Sequence, residues 1–235
     1  MSQNPYAPVA TPISKSGSQY QKQYHFRSLG FLSILVVVSV GLTCLLRFLI
    51  SAAETVGFLS FPDYLNPTAE VSSNQELLLI YFVTGVATFS IITYRVGAIS
   101  ACFFSYRSNA NLRSLNVRGL EYTPGWCAGW WFVPIAHLFK PYQTVSETYT
   151  KSEQLHGVQK GNSLGVWWGL WILGTILTRV ENRLALNQVD IGPSALVLSW
   201  VTTLIFCGAG VLFIVIVRTI TANQHEYVEK AGRGF

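Results

Sequence analysis

Three stretches of this chain are long, apolar and almost free of charge, and that restricts it to few folds. Leu29 to Ile50 ("LGFLSILVVVSVGLTCLLRFLI") spans 22 residues, Leu77 to Phe104 spans 28, and Ser194 to Val217 spans 24. The first two carry one charge each, Arg47 and Arg95, and the third carries none. At 1.5 Å per residue a helix of each length reaches across the ~30 Å hydrocarbon core of a bilayer. The rest of the chain does not offset this. Only 11% of its residues are charged, against about 25% in soluble domains, and mean hydropathy is +0.36. The expected class is an all-α integral membrane protein.

A fourth apolar stretch, Leu164 to Thr178, has 15 residues and reaches spanning length only by borrowing Gly161 to Ser163. The expected spans are therefore 29–50, 77–104, 161–178 and 194–217, within one transmembrane helical domain covering 26–222. Residues 1–25, rich in Ser, Gln, Pro and Tyr, read as a disordered tail, and 223–235 as a second tail.

Basic residues set the orientation, because loops rich in Lys and Arg stay on the cytoplasmic side. With four spans, 13 of the 16 basic residues share one side, leaving Arg47, Arg179 and Arg183 opposite. A fifth span over Pro124 to Tyr142 would turn this into nine against seven. Four spans with both termini cytoplasmic are expected, in a multi-pass protein of the cell (inner) membrane, and five are the alternative. The same clustering accounts for the net charge of +5 without nucleic acid as a partner. Membrane lipids, other membrane proteins or a second copy of the chain are the expected partners.

Between the second and third spans lies "TPGWCAGWWFVPIAHLFKPYQ", Thr123 to Gln143. Thr123-Pro124 is a helix start, Pro134 removes a backbone bond, and Pro141 is expected to end or bend the helix. With Trp126, Trp130 and Trp131 near one end and Lys140 near the other, 124–140 reads as one short re-entrant or interfacial helix.

Helices in lipid pack through small residues. Gly161, Gly165 and Gly169 lie on one helical face and are expected to meet a neighbouring helix, with Trp167 and Trp171 opposite, towards lipid or the cytoplasmic interface. Gly125 and Gly129 repeat the spacing, and "CGAG" (Cys207 to Gly210) gives the last span a smooth patch. The four cysteines sit in apolar stretches without CxxC spacing and read as small buried hydrophobes.

Together "YRSNANL", the Thr123 to Gln143 stretch with its continuation to "TKS", and "VWWGLWIL" resemble the bacterial membrane-protein family called domain of unknown function 4328. The resemblance covers roughly Leu77 to the C-terminus. It is most specific at Arg107, Asn111, Pro124, Gly125, Trp126, Gly129, Trp130, Trp131, Pro134, Lys140, Pro141, Tyr142, Gln143 and the pair Trp167-Trp168. Where the family reads "PIAN" this chain reads "PIAH", with His137 in place of asparagine. The resemblance implies a membrane location and no activity.

Candidate chemistry is sparse. HExxH and Walker A patterns are absent, the histidines lack metal-ligand spacing, and no cofactor or metal is expected. Arg95 either snorkels at the end of its span or lines a polar interior site. Arg107, Asn111, His137, Lys140 and Gln143 either gather into a polar cluster holding an anion or lipid headgroup, or anchor individually at the interface. The leading expectation is a non-enzymatic protein acting through lipid or partner contacts. A small-molecule carrier or channel subunit comes second, and a membrane enzyme with His137 as general base third.

Overall fold

The computed structural model describes residues 24–61, 63–66, 69–157, 164–187, 189 and 192–232. Six α-helices, and no strand, occur among them: α1 (Gly30–Ser60), α2 (Asn74–Ser114), α3 (Pro124–Gly129), α4 (Lys140–Gln154), α5 (Leu164–Leu186) and α6 (Ser194–Gly232). Three of these, α1, α2 and α6, are long and apolar enough to cross a membrane. α5 has 23 residues, but Arg179, Glu181 and Arg183 charge its final turns.

α1 shows why the bundle suits lipid. Its inward face is made of Ser33, Val36, Ser39, Thr43 and Leu46, spaced by three or four residues. Phe31, Ile34, Val38, Leu45 and Phe48 point outwards and are exposed. Small and hydroxylated residues are inside and large apolar ones outside, the reverse of a water-soluble helix. The hydroxyls are satisfied within the helix: Ser39 Oγ donates to Leu35 O at 2.7 Å and Thr43 Oγ1 to Ser39 O at 2.8 Å. Thr43 also meets Thr93 Oγ1 of α2 at 3.0 Å.

Two glycines let helices approach closely. A Cβ on Gly210 would sit 2.9 Å from Cys44 Sγ and 3.0 Å from Val40 Cγ1, so α6 needs glycine there to meet α1. A Cβ on Gly174 would sit 3.0 Å from the Phe206 ring, where α5 meets α6. The helices follow the order α2–α1–α6–α5, and α2 and α5 are not among the pairs in substantial contact.

The glycine face expected to pack is instead open. Nothing lies within 4 Å of a Cβ on Gly169, and only Tyr142 Oη approaches one on Gly165, at 4.0 Å; Gly161 lies outside the described residues. Trp167 is buried rather than lipid-facing, stacked on Phe213 at 5.1 Å. The indole stacking sets which side of α5 faces inwards, and Gly174 admits the neighbour.

α2 and α6 are each about 60 Å long, twice the bilayer core. At their far ends, with α4, they form a second packed region. α2 stops in a left-handed turn: Asn116 has φ 57°, its N–H donates to Arg113 O at 3.1 Å, and Val117 N–H to Leu112 O at 3.0 Å. This double closure is a Schellman stop. α4 lays Pro141, Thr144, Val145, Thr148 and Ser152 into the core. Residues expected to form a C-terminal tail are helical to Gly232, with Gln224 fully buried. Of the expected N-terminal tail, 1–23 lie outside the described residues.

Candidate functional site

The segment expected to be one helix is broken. α3 ends at Gly129, turns follow, a single 3-10 turn covers Ala136–Leu138, and α4 begins at Lys140. Pro134 denies the helix a donor and keeps Val133 out of the helical region. Ile135 then takes φ 65° and ψ −53°, a γ-turn closed by Ala136 N–H on Pro134 O at 2.7 Å and costly for a β-branched residue. Pro141 starts α4 rather than ending its predecessor, its fixed φ suiting a first turn.

Aromatic contacts hold the break in place. Trp168 Nε1 donates to Leu138 O at 2.8 Å. Trp131 packs edge-on against Trp168 and Trp171, and His137 packs on Trp171 at 5.2 Å. Trp126 stacks on Trp130 at 4.4 Å beside α3, and a Cβ on Gly129 would touch the Trp126 ring at 3.4 Å. Gly125 is exposed with open space around it.

Behind the broken segment is a cavity of about 480 Å³. Residues of α1, α2, α5 and α6 line it together with Trp131, Phe132 and His137. Its walls are mainly apolar and aromatic, including Ile99, Trp167, Trp171, Phe206 and Phe213. Arg47, Arg95 and His137 are its cationic or potentially cationic members, and no Asp or Glu lines it. Arg47 is occupied: its guanidinium lies 4.3 Å from the Phe206 ring centroid, and Nη2 donates to Thr178 Oγ1 at 3.4 Å. Arg95 is exposed on α2.

The expected polar constellation separates into four places. Arg95 and His137 reach the cavity. Lys140 and Gln143 meet at Tyr122, whose hydroxyl donates to Gln143 Oε1 at 2.8 Å and accepts from Lys140 Nζ at 3.4 Å. Beside them Glu147 accepts the backbone N–H groups of Glu121 and Tyr122, and burial holds its carboxyl above the ordinary value. Arg107 is half-buried on α2, outside the cavity lining.

Asn111 is fully buried and structural. Its Nδ2 donates to Arg27 O at 2.9 Å and Gln224 Oε1 at 3.2 Å, and its Oδ1 accepts Arg27 N–H at 3.1 Å. Gln224 Nε2 donates onward to Ser108 O at 3.1 Å and Ser152 Oγ at 3.0 Å. His225 Nε2 accepts Leu29 N–H at 3.0 Å. These bonds tie the entry strand of α1 to α2, α4 and α6. Sequence reasoning missed Gln224 because it looked like part of a tail.

A further cluster went unread. α1 continues past Ile50, and Ser51, Glu54 and Thr55 share one face of that extension. Ser51 Oγ meets Ser199 Oγ at 3.0 Å and Thr203 Oγ1 at 2.9 Å, and Ser199 Oγ donates to Glu54 Oε2 at 2.7 Å. The i, i+3, i+4 spacing of polar residues after the apolar run was the available signal.

A family model, domain of unknown function DUF4328, matches residues 70–222. The chain belongs to that family. In this DUF4328 protein the match starts at the approach to α2 and takes in the cavity's α2, α5 and α6 walls and the broken segment. No curated protein and no solved structure matches the chain.

Proposed function

We propose that this DUF4328 protein is a non-enzymatic membrane protein that acts through lipid contacts, holding a lipid in the cavity behind the broken segment. In this reading α5 is a fourth crossing, residues 130–139 form a re-entrant stretch, and both termini face the cytoplasm across a bacterial inner membrane. The observation that carries it is the cavity: apolar and aromatic walls, a volume in the usual range for small-molecule sites, and cations without a lining carboxylate. The concentration of Lys and Arg on one side supports the crossings.

Native mass spectrometry of protein extracted in mild detergent tests the reading. Lipid adducts that survive extraction are expected; a bare monomer under all mild conditions overturns it. Cysteine-accessibility scanning across 124–143 tests the topology, with labelling from the cytoplasmic side alone expected.

One observation favours a second reading, a small-molecule carrier. Non-helical backbone at membrane depth is tolerated where it borders a cavity, and Trp131, Phe132 and His137 do border one. Proteoliposome flux abolished by Arg95→Leu would select it.

A further inference from the structure

We infer that Arg95 is the headgroup anchor of the cavity, selecting a lipid with an anionic head, one acyl chain of which enters between α2 and α5. The inference rests on the lipid-holding reading and adds to it a charge preference and a route.

Depth is the first argument. Thr93 pairs with Thr43, and a Cβ on Gly97 would touch Ser39 Cβ at 3.3 Å. Arg95 therefore lies level with about residue 41 of α1, some 16 Å along the axis from Gly30. That is the middle of the first apolar run, where an arginine is costly unless it is paired or reaches a polar cavity. Among the described residues Arg95 has no hydrogen-bond or ion-pair partner, whereas Arg47 has both Phe206 and Thr178. The guanidinium with unused donors lines the cavity and is exposed. Five N–H donors in a planar fork match a carboxylate or phosphate.

Access is the second argument. The order α2–α1–α6–α5 leaves α2 and α5 without substantial mutual contact, so the cavity's open side lies between them, facing the bilayer rather than water. Ile99 and Phe132, largely exposed, line the cavity beside Arg95 and offer an apolar path for a chain. Charge is the third: with no lining carboxylate, an anionic head meets complementary cations and no like charge.

The test uses the full chain in detergent and quenching of the cavity indoles Trp131, Trp167 and Trp171 by dibromostearate, compared with its uncharged methyl ester. In the natural protein the carboxylate is expected to quench saturably at about tenfold lower concentration than the ester, the scale of one charge-assisted hydrogen bond. Arg95→Gln should erase that difference while the ester still quenches. Arg95→Lys should keep part of it, and Arg107→Gln all of it. A preference that survives Arg95→Gln, or equal quenching by both probes in the natural protein, overturns the anchor and leaves lipid holding intact. Absence of saturable quenching by either probe overturns lipid holding itself.

Discussion

Two regions of this molecule treat their polar side chains in opposite ways. Where α2, α4 and α6 come together, Asn111 and Gln224 are fully buried and their amides are engaged with Arg27, Ser108 and Ser152. At the cavity, Arg95 is left without a partner inside a largely apolar wall. A satisfied network fixes one geometry, since losing any member strands the others. An unsatisfied cation at a cavity has capacity for something from outside. The difference separates a polar residue that builds the fold from one whose donors the fold leaves unused.

The sharpest way to break this comparison is Asn111→Leu. It removes the partner of the buried Gln224 Oε1 and of the Arg27 backbone, and an expected loss of about 3 kcal/mol should appear as a large drop in the thermal midpoint in detergent. Arg95→Gln in the same assay is expected to stay within about 0.5 kcal/mol. A comparable loss for both variants would show that Arg95 also holds the fold together.

Glycines sharpen the contrast at a smaller scale. Gly210→Ala places a methyl group 2.9 Å from Cys44 Sγ and 3.0 Å from Val40, and overpacking of this kind costs about 1–3 kcal/mol. Gly169→Ala meets open space and is expected to be neutral or to stabilise the helix by up to ~1 kcal/mol. Paired thermal melts check both.

The smallest effect belongs to Glu147, outside the spans. Burial raises its carboxyl above the ordinary 4.5, so between that value and its folded pKa the folded state holds more protons than the unfolded one. Stability then falls as pH rises through that window, because the half-buried group loses its proton. Melts at stepped pH should show this slope, and Glu147→Gln should flatten it.

Much of the fold was legible in the sequence. The apolar runs at 29–50, 77–104 and 194–217 lie within α1, α2 and α6, since length and hydropathy report on the bilayer directly. The extensions of these helices beyond the apolar runs were harder to see. Asn111 and Gln224 are 113 residues apart, and no local period announces their pairing. Which glycines pack was also hidden: Gly165 and Gly169 have the expected spacing, yet Gly174 and Gly210 make the close approaches, because the stacking of Trp167 on Phe213 decides how α5 is turned. Of the candidate residues, Arg95 and His137 reach one cavity, while His137 and Lys140 part at Phe139, whose φ of −139° separates the 3-10 turn from α4.

α2 is one uninterrupted rod from Asn74 to Ser114, and it serves both regions. About 24 Å of rigid helix separates Arg95 from Asn111, so a tilt of a few degrees at the inner position displaces the outer one by roughly an ångström. Filling the gap beside Arg95 therefore cannot leave the amide junction at Asn111 mechanically indifferent: whatever pushes on the rod at the cavity is felt by the helices packed against its far end.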